Sequence, residues 1–144
     1  MKILKEYPPC WKDLDEAFKL TEQGIKPYIA YGDIIYNPFD LGVTRDAYEH
    51  ECTHGFQQAY DPVVANLWYQ LYIADPVFRL SQEVEAYGAQ YRFICGEYKD
   101  RNKRVRFLNE LARMLTGPMY GNLVVHSEAQ KLIKEASLTK KKGV

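Results

Sequence analysis

Hydrophobic and polar positions follow a helical period through most of the chain and a strand period in one short stretch. In CWKDLDEAFKLTEQG, residues 10–24, the side of Trp11, Leu14 and Phe18 recur at helical spacing, and Gly24 is placed to end the helix. PYIAYGDIIYNP breaks that period. Here β-branched and aromatic residues alternate on both sides of Gly32-Asp33, a two-residue turn suited to a hairpin over residues 28–37, and Pro38 closes the second strand. A lone hairpin is marginal in water, so it must pack on helices or pair with further short strands.

From Thr44, the expected N-cap, the pattern is helical again until Pro62 forbids continuation past Asp61. Asp61-Pro62 and Asp75-Pro76 repeat one device, an Asp N-cap followed by Pro in the first helical position, and predict helices over 62–73 and 76–97. Further helices are expected near 102–116, stopped by Gly117-Pro118, and near 123–137. In the helix opening at Pro76, Val77, Leu80, Val84, Tyr87, Tyr91 and Cys95 fall within one arc and are the expected buried stripe. The class is α+β, mostly α: one domain over residues 1–144, with a small β-hairpin or sheet.

Composition changes this picture little. At 144 residues the chain has room for one core. Its 19 basic and 19 acidic residues cancel, so no global field draws it to nucleic acid or to an anionic membrane. The basic tail TKKKGV, residues 139–144, reads as a solvated helix end rather than an electrostatic tether. Cys10, Cys52 and Cys95 are odd in number and widely spaced, which points to neither a disulfide framework nor a thiolate metal site. With no signal peptide and no run long enough to span a bilayer, a cytoplasmic protein is expected.

The candidate chemistry lies in YEHECTHGFQQ, residues 48–58. Residues four apart share a helix face, so His50 and His54 can grip one ion. The alternative is two ordinary helix histidines, yet the chain has three His in all and two of them flank a Glu at this spacing. Zinc accepts nitrogen and oxygen ligands in a tetrahedron, and catalytic sites use three protein ligands. Glu51, beside the first His, is then the general base. Tyr48, Cys52 and Phe56 lie on another side and are expected to bury, leaving the His face toward a cleft, with Cys52 as packing. Glu83 and Glu85, in FRLSQEVEAYGAQYRFIC, are the candidates for a third ligand and cannot share a helix face. Glu83 borders the apolar arc, whereas Glu85 falls on the polar side, so Glu83 is the expected ligand.

HECTH followed by EVEAY, with Glu83 in an E-x-x-A context, resembles the gluzincin branch of the zincin metallopeptidases. HECTH with Gln57 also resembles small H-E-x-x-H-x-x-Q proteins of bacteria and phages. The extended H-E-x-x-H-x-x-G-x-x-H form is excluded, since it needs Gly at Gln57 and His at Tyr60. The resemblance, firm over residues 28–95, implies a zincin core: a sheet whose edge strand holds an extended peptide, the active-site helix beneath, and a glutamate helix behind. It implies Zn2+ on His50, His54 and Glu83, and a peptide or protein substrate. In that branch an Asp four residues after the Glu often orients a zinc His. Tyr87 stands here instead, so its hydroxyl or Gln90 must take that part. The branch also uses a Tyr or His to stabilise the oxyanion, for which the candidates are Tyr120 and His126. The expected function is a zinc-dependent metallopeptidase. The alternative is a non-catalytic module that keeps the metal as a pin and captures a partner at its hairpin edge; a metal-free helical interaction protein is a third reading.

Overall fold

The computed structural model describes residues 1–139, and the Lys-rich end of the tail lies outside them. Among the described residues the order is β1 (Lys2–Leu4), α1 (Trp11–Phe18), β2 (Ile29–Tyr31), β3 (Ile34–Tyr36), α2 (Arg45–Gln57), α3 (Pro62–Ala74), α4 (Pro76–Glu97), α5 (Arg101–Leu115), a 3-10 turn (Pro118–Tyr120) and α6 (His126–Ser137). The α+β, mostly α class expected from the sequence is the class observed. No helix among these residues is long and apolar enough to cross a membrane.

The hairpin forms about Gly32, whose φ of 65° favours glycine, and Ile29, Ala30 and Tyr31 pair with Tyr36, Ile35 and Ile34. β1 adds a third strand, parallel to β3, giving the order β1-β3-β2. β2 is therefore an edge strand, and α2 and α3 pack against it. Its two outward backbone directions at Ala30 face those helices rather than β3, as a non-hydrogen-bonded pair next to a two-residue turn requires.

The Asp-Pro device works as the sequence suggests. Asp61 accepts from the Val63 and Val64 amides, and Asp75 from Val77 and Phe78. Thr44 caps α2 through the Ala47 amide. The first helix is shorter than expected: it stops at Phe18 because Lys19 turns left-handed at φ 55° and Asp15 captures the Thr21 amide and hydroxyl. Gly24 ends the turn that follows, not the helix.

α4 is the central element, touching α2, α3, α5 and α6. Covered on several sides, it buries polar as well as apolar residues: Arg79, Glu83, Ala86, Tyr87, Gln90, Tyr91 and Ile94 are all inside. The expected stripe holds at Tyr87 and Tyr91, is half-buried at Leu80, Val84 and Cys95, and fails at Val77, which is 77% exposed. Val77 sits in the first turn, where the core is reached by Phe78 instead. Gly88 sets the crossing with α6, since a Cβ there would come 2.6 Å from the Ala136 Cβ and 2.9 Å from its carbonyl carbon.

α2 corrects a second expectation. Ala47, His50, Glu51, Thr53, His54 and Gly55 are buried, whereas Phe56 is exposed and Tyr48 and Cys52 are half-buried. The face bearing the histidines is the inner face, because β2 and α4 close over it.

Candidate metal centre

α2 presents His50 and His54 one turn apart toward α4, and α4 returns Glu83. The Nε2 atoms of the two histidines lie 3.2 Å apart, and each lies 3.3 Å from Glu83 Oε1. Three ligands at the usual 2.0–2.1 Å zinc distances, in a tetrahedron, stand about 3.3–3.4 Å from one another. The triangle has the dimensions of three corners of such a site, and all three residues are buried. Glu85 is exposed and meets Gln57 Nε2 at 3.5 Å, outside the triangle.

The surrounding bonds fix the tautomers. Gln90 donates through Nε2 to Asp46 Oδ2 at 2.8 Å, which turns its Oε1 toward His50 Nδ1 at 3.0 Å. Gln57 donates to the Gln82 carbonyl at 3.1 Å and offers its Oε1 to His54 Nδ1 at 2.8 Å. Both amides are oriented by partners that can only accept, so both Nδ1 atoms are the donors. Each neutral imidazole is left with a lone pair on Nε2, aimed at the other and at a carboxylate oxygen. With both rings neutral, three acceptors converge with no proton among them. A proton or a metal ion must sit there, and the donor set of two imidazoles and a carboxylate suits a divalent ion such as zinc.

Electrostatics point the same way. Burial alone lowers the His54 pKa, but Glu83 beside it and Glu51 nearby outweigh that and raise it to about 9. Burial likewise raises the Glu83 carboxyl, yet the two histidines hold it well below the ordinary carboxylate range. Its other oxygen, Oε2, accepts a 2.6 Å bond from the Tyr72 hydroxyl. The pocket thus favours positive charge at its centre.

Tyr87 does not replace an Asp as a hydrogen-bond partner of a ligand histidine. Its ring packs edge-on against His50 at 4.4 Å between centroids, and its hydroxyl pairs with that of Tyr120 at 2.6 Å. The orienting bond comes from Gln90, the other residue proposed for it. On the far side Trp68 packs on His54 at 5.4 Å and bonds Gln82.

Glu51 is buried against β2, where its Oε2 accepts from the Ala30 amide at 3.1 Å. Burial is the main cause raising its pKa, with the histidines opposing. It shares a cavity of about 40 Å³ with His50, His54, Glu83, Tyr28 and Tyr120. That space is above the roughly 10–15 Å³ that a cavity needs to hold a water. A second cavity, about 250 Å³, adjoins His50, Glu51 and Tyr120 on the side of residues 25–28.

Tyr120 is therefore brought to the site, 5% exposed and lining both cavities. His126 is not: it opens α6 on the surface. Its position after a loop carried no sign of this in the sequence.

The free edge of β2 differs from what the resemblance implies. Ala30 gives its amide to Glu51, and its carbonyl accepts from Tyr69 Oη at 2.6 Å and Gln58 Nε2 at 3.3 Å. The Gly32 amide goes to Gln58 Oε1 at 2.8 Å. Side chains occupy the stretch where an extended peptide was expected to pair. Gln58, Tyr69 and Tyr72 were missed in the sequence, where each reads as an ordinary helix residue and only the fold gives it a partner.

Comparison with family models, with curated proteins and with solved structures yields no match to this chain.

Proposed function

We propose that this chain is a zinc-dependent hydrolase that cleaves an amide bond of a peptide or protein. The observation that carries the reading is the acceptor triangle of His50, His54 and Glu83, with the buried carboxyl group of Glu51 in the same small cavity. Bound there, zinc supplies a Lewis acid that polarises a carbonyl and acidifies water.

The remaining work belongs to the chain. Gln57 and Gln90 hold the imidazoles in the metal-binding tautomer, and Tyr72 steadies Glu83. Glu51, whose pKa burial raises above the ordinary carboxylate value, is the base that accepts and returns a proton. It takes the proton that water loses on adding to the amide carbon and delivers it to the nitrogen that leaves. Tyr120 donates its hydroxyl to the oxygen on which charge develops. His126 has no part in this reading.

A second reading has one observation in its favour. Glu51 anchors the Ala30 amide, so it has a structural use even where the metal is a pin in a binding module. Glu51→Gln separates the two, because a glutamine oxygen still accepts that amide but cannot carry the proton. The experiment is metal content by mass spectrometry on protein purified without chelator, followed by hydrolysis of a peptide mixture. Expected are about one zinc per chain in wild type, Glu51→Gln and Glu85→Gln, its loss in His54→Ala and Glu83→Gln, and a fall in hydrolysis of about a hundredfold or more in Glu51→Gln. Unchanged hydrolysis in Glu51→Gln would remove it as the base.

A further inference from the structure

We infer that the site takes a compact substrate, an amide bond beside one bulky apolar group, rather than an extended chain paired along β2. The inference deepens the hydrolase reading and rests on it for the chemistry, though not for the binding step.

Two independent observations lead here. The first is the closed edge. The outward backbone groups of Ala30 and the Gly32 amide are bonded to Glu51, Gln58 and Tyr69. All four bonds involve buried side chains, Glu51 on α2, Gln58 at its C-terminal end and Tyr69 on α3. An incoming strand would have to break them to form its own, so lengthening a substrate along β2 brings no net hydrogen bonds. A free edge behaves otherwise, since pairing along it is what gives strand-binding sites their affinity.

The second is the division of space. The cavity of about 40 Å³ at the triangle is the smaller of the two and admits water-sized groups. The adjoining cavity of about 250 Å³ exceeds the roughly 150 Å³ in which an apolar cavity binds benzene. Its walls include Pro27, Tyr28, Ala47, Met114, Met119 and Tyr120. The methionines are adaptable and the tyrosines offer ring faces, which suits an aromatic or large aliphatic group. Beside these apolar walls its lining carries Lys26 and the carboxyl group of Glu51. The two spaces share Pro27, Tyr28, His50, Glu51, Met119 and Tyr120, whereas Ala47 and Met114 line the larger one only. A substrate seated this way places its apolar group outside and its adjacent amide at the triangle.

The test uses capped dipeptides, acetyl-Ala-Xaa-amide and acetyl-Xaa-Ala-amide with Xaa as Phe, Leu, Ala or Lys. The same cores are also made with two alanines added at each end. Binding to zinc-loaded Glu51→Gln is measured by calorimetry, and hydrolysis by wild type as kcat/KM. Phe and Leu peptides are expected to bind at least tenfold tighter than Ala or Lys peptides, and the extended versions to differ from the short ones by less than about threefold. Ala47→Leu, which fills the outer cavity, should cancel the preference for Phe while zinc content stays near one per chain. Should that variant fail to fold, Met114→Ala, at another residue of the lining, should strengthen binding of a Trp peptide instead. Affinity that climbs tenfold or more with length, or that ignores Xaa, overturns the inference even where hydrolysis is found. Preferential binding of Phe peptides without hydrolysis by wild type sustains the inference and removes the hydrolase reading.

Discussion

At the scale of single residues, the site is decided by which hydrogen each ring nitrogen carries. Gln90 and Gln57 are neutral, yet by accepting from Nδ1 they commit both Nε2 lone pairs to one point. Replacing Gln90 with Leu removes that constraint while retaining bulk. Zinc affinity is expected to fall about tenfold to a hundredfold, as for other partners of metal-bound histidines, with the protein still folded. A competition titration against a chromophoric chelator measures it, and an unchanged affinity would mean that helix packing alone orients His50. The spacing of HECTH and the choice of Glu83 over Glu85 were both legible in the sequence, because helical periodicity fixes which side of a helix a residue occupies. That the histidine face is buried was not legible. Tyr48, Cys52 and Phe56 are the more apolar set, and by pattern alone they claim the inside.

Among elements, α4 does most to place the site, because it carries Glu83 and Gln90 to α2 while packing on α6 with its back. Gly88 makes that double duty possible. A methyl group there would meet the α6 backbone at Ala136 and Ser137, which cannot yield as a flexible side chain would. Gly88→Ala gains helix propensity of nearly 1 kcal/mol, but the clash should outweigh it and leave a net loss of about 1–3 kcal/mol. Urea denaturation of the metal-free protein measures this, and a variant as stable as wild type would show that α6 can move aside. The two Asp-Pro openings were readable because capping is local chemistry. β1 was not readable: Lys2–Leu4 is too short for a period and becomes a strand because β3 offers it a partner.

For the whole molecule, the buried charges couple folding to pH and, on the metal-centre reading proposed above, to metal. His54 has a folded pKa raised to about 9, so in metal-free protein its stabilising contribution is full below the unfolded value of about 6.5 and is lost as pH rises toward 9. Glu51, also raised, loses its contribution in the same sense above about 4.3. Glu83 is lowered and acts oppositely, its contribution being lost as pH falls below about 4.3. The thermal midpoint of metal-free protein should therefore decline between about pH 6.5 and 9. Zinc should restore more stability at pH 8 than at pH 6, since protons no longer compete for the histidines. Thermal melts with and without zinc across that range provide the check, and a zinc-induced shift independent of pH would argue that the histidines are not its ligands.

The sequence by itself determined the class, the hairpin and the six helices of the described residues, all but the first to within a few residues, and it singled out the residues that converge at the triangle. Each rests on short-range rules, periodicity, capping and turn chemistry, that act within one or two helical turns. Only the tertiary structure decided that Ala30 turns its amide to Glu51, that Gln58 and Tyr69 close the edge of β2, and that Tyr120 and not His126 reaches the cavity. Those bonds join residues 21 to 39 positions apart, and such pairs leave no period in a chain. Their partners are fixed by where helices cross, and packing settles that for the molecule as a whole.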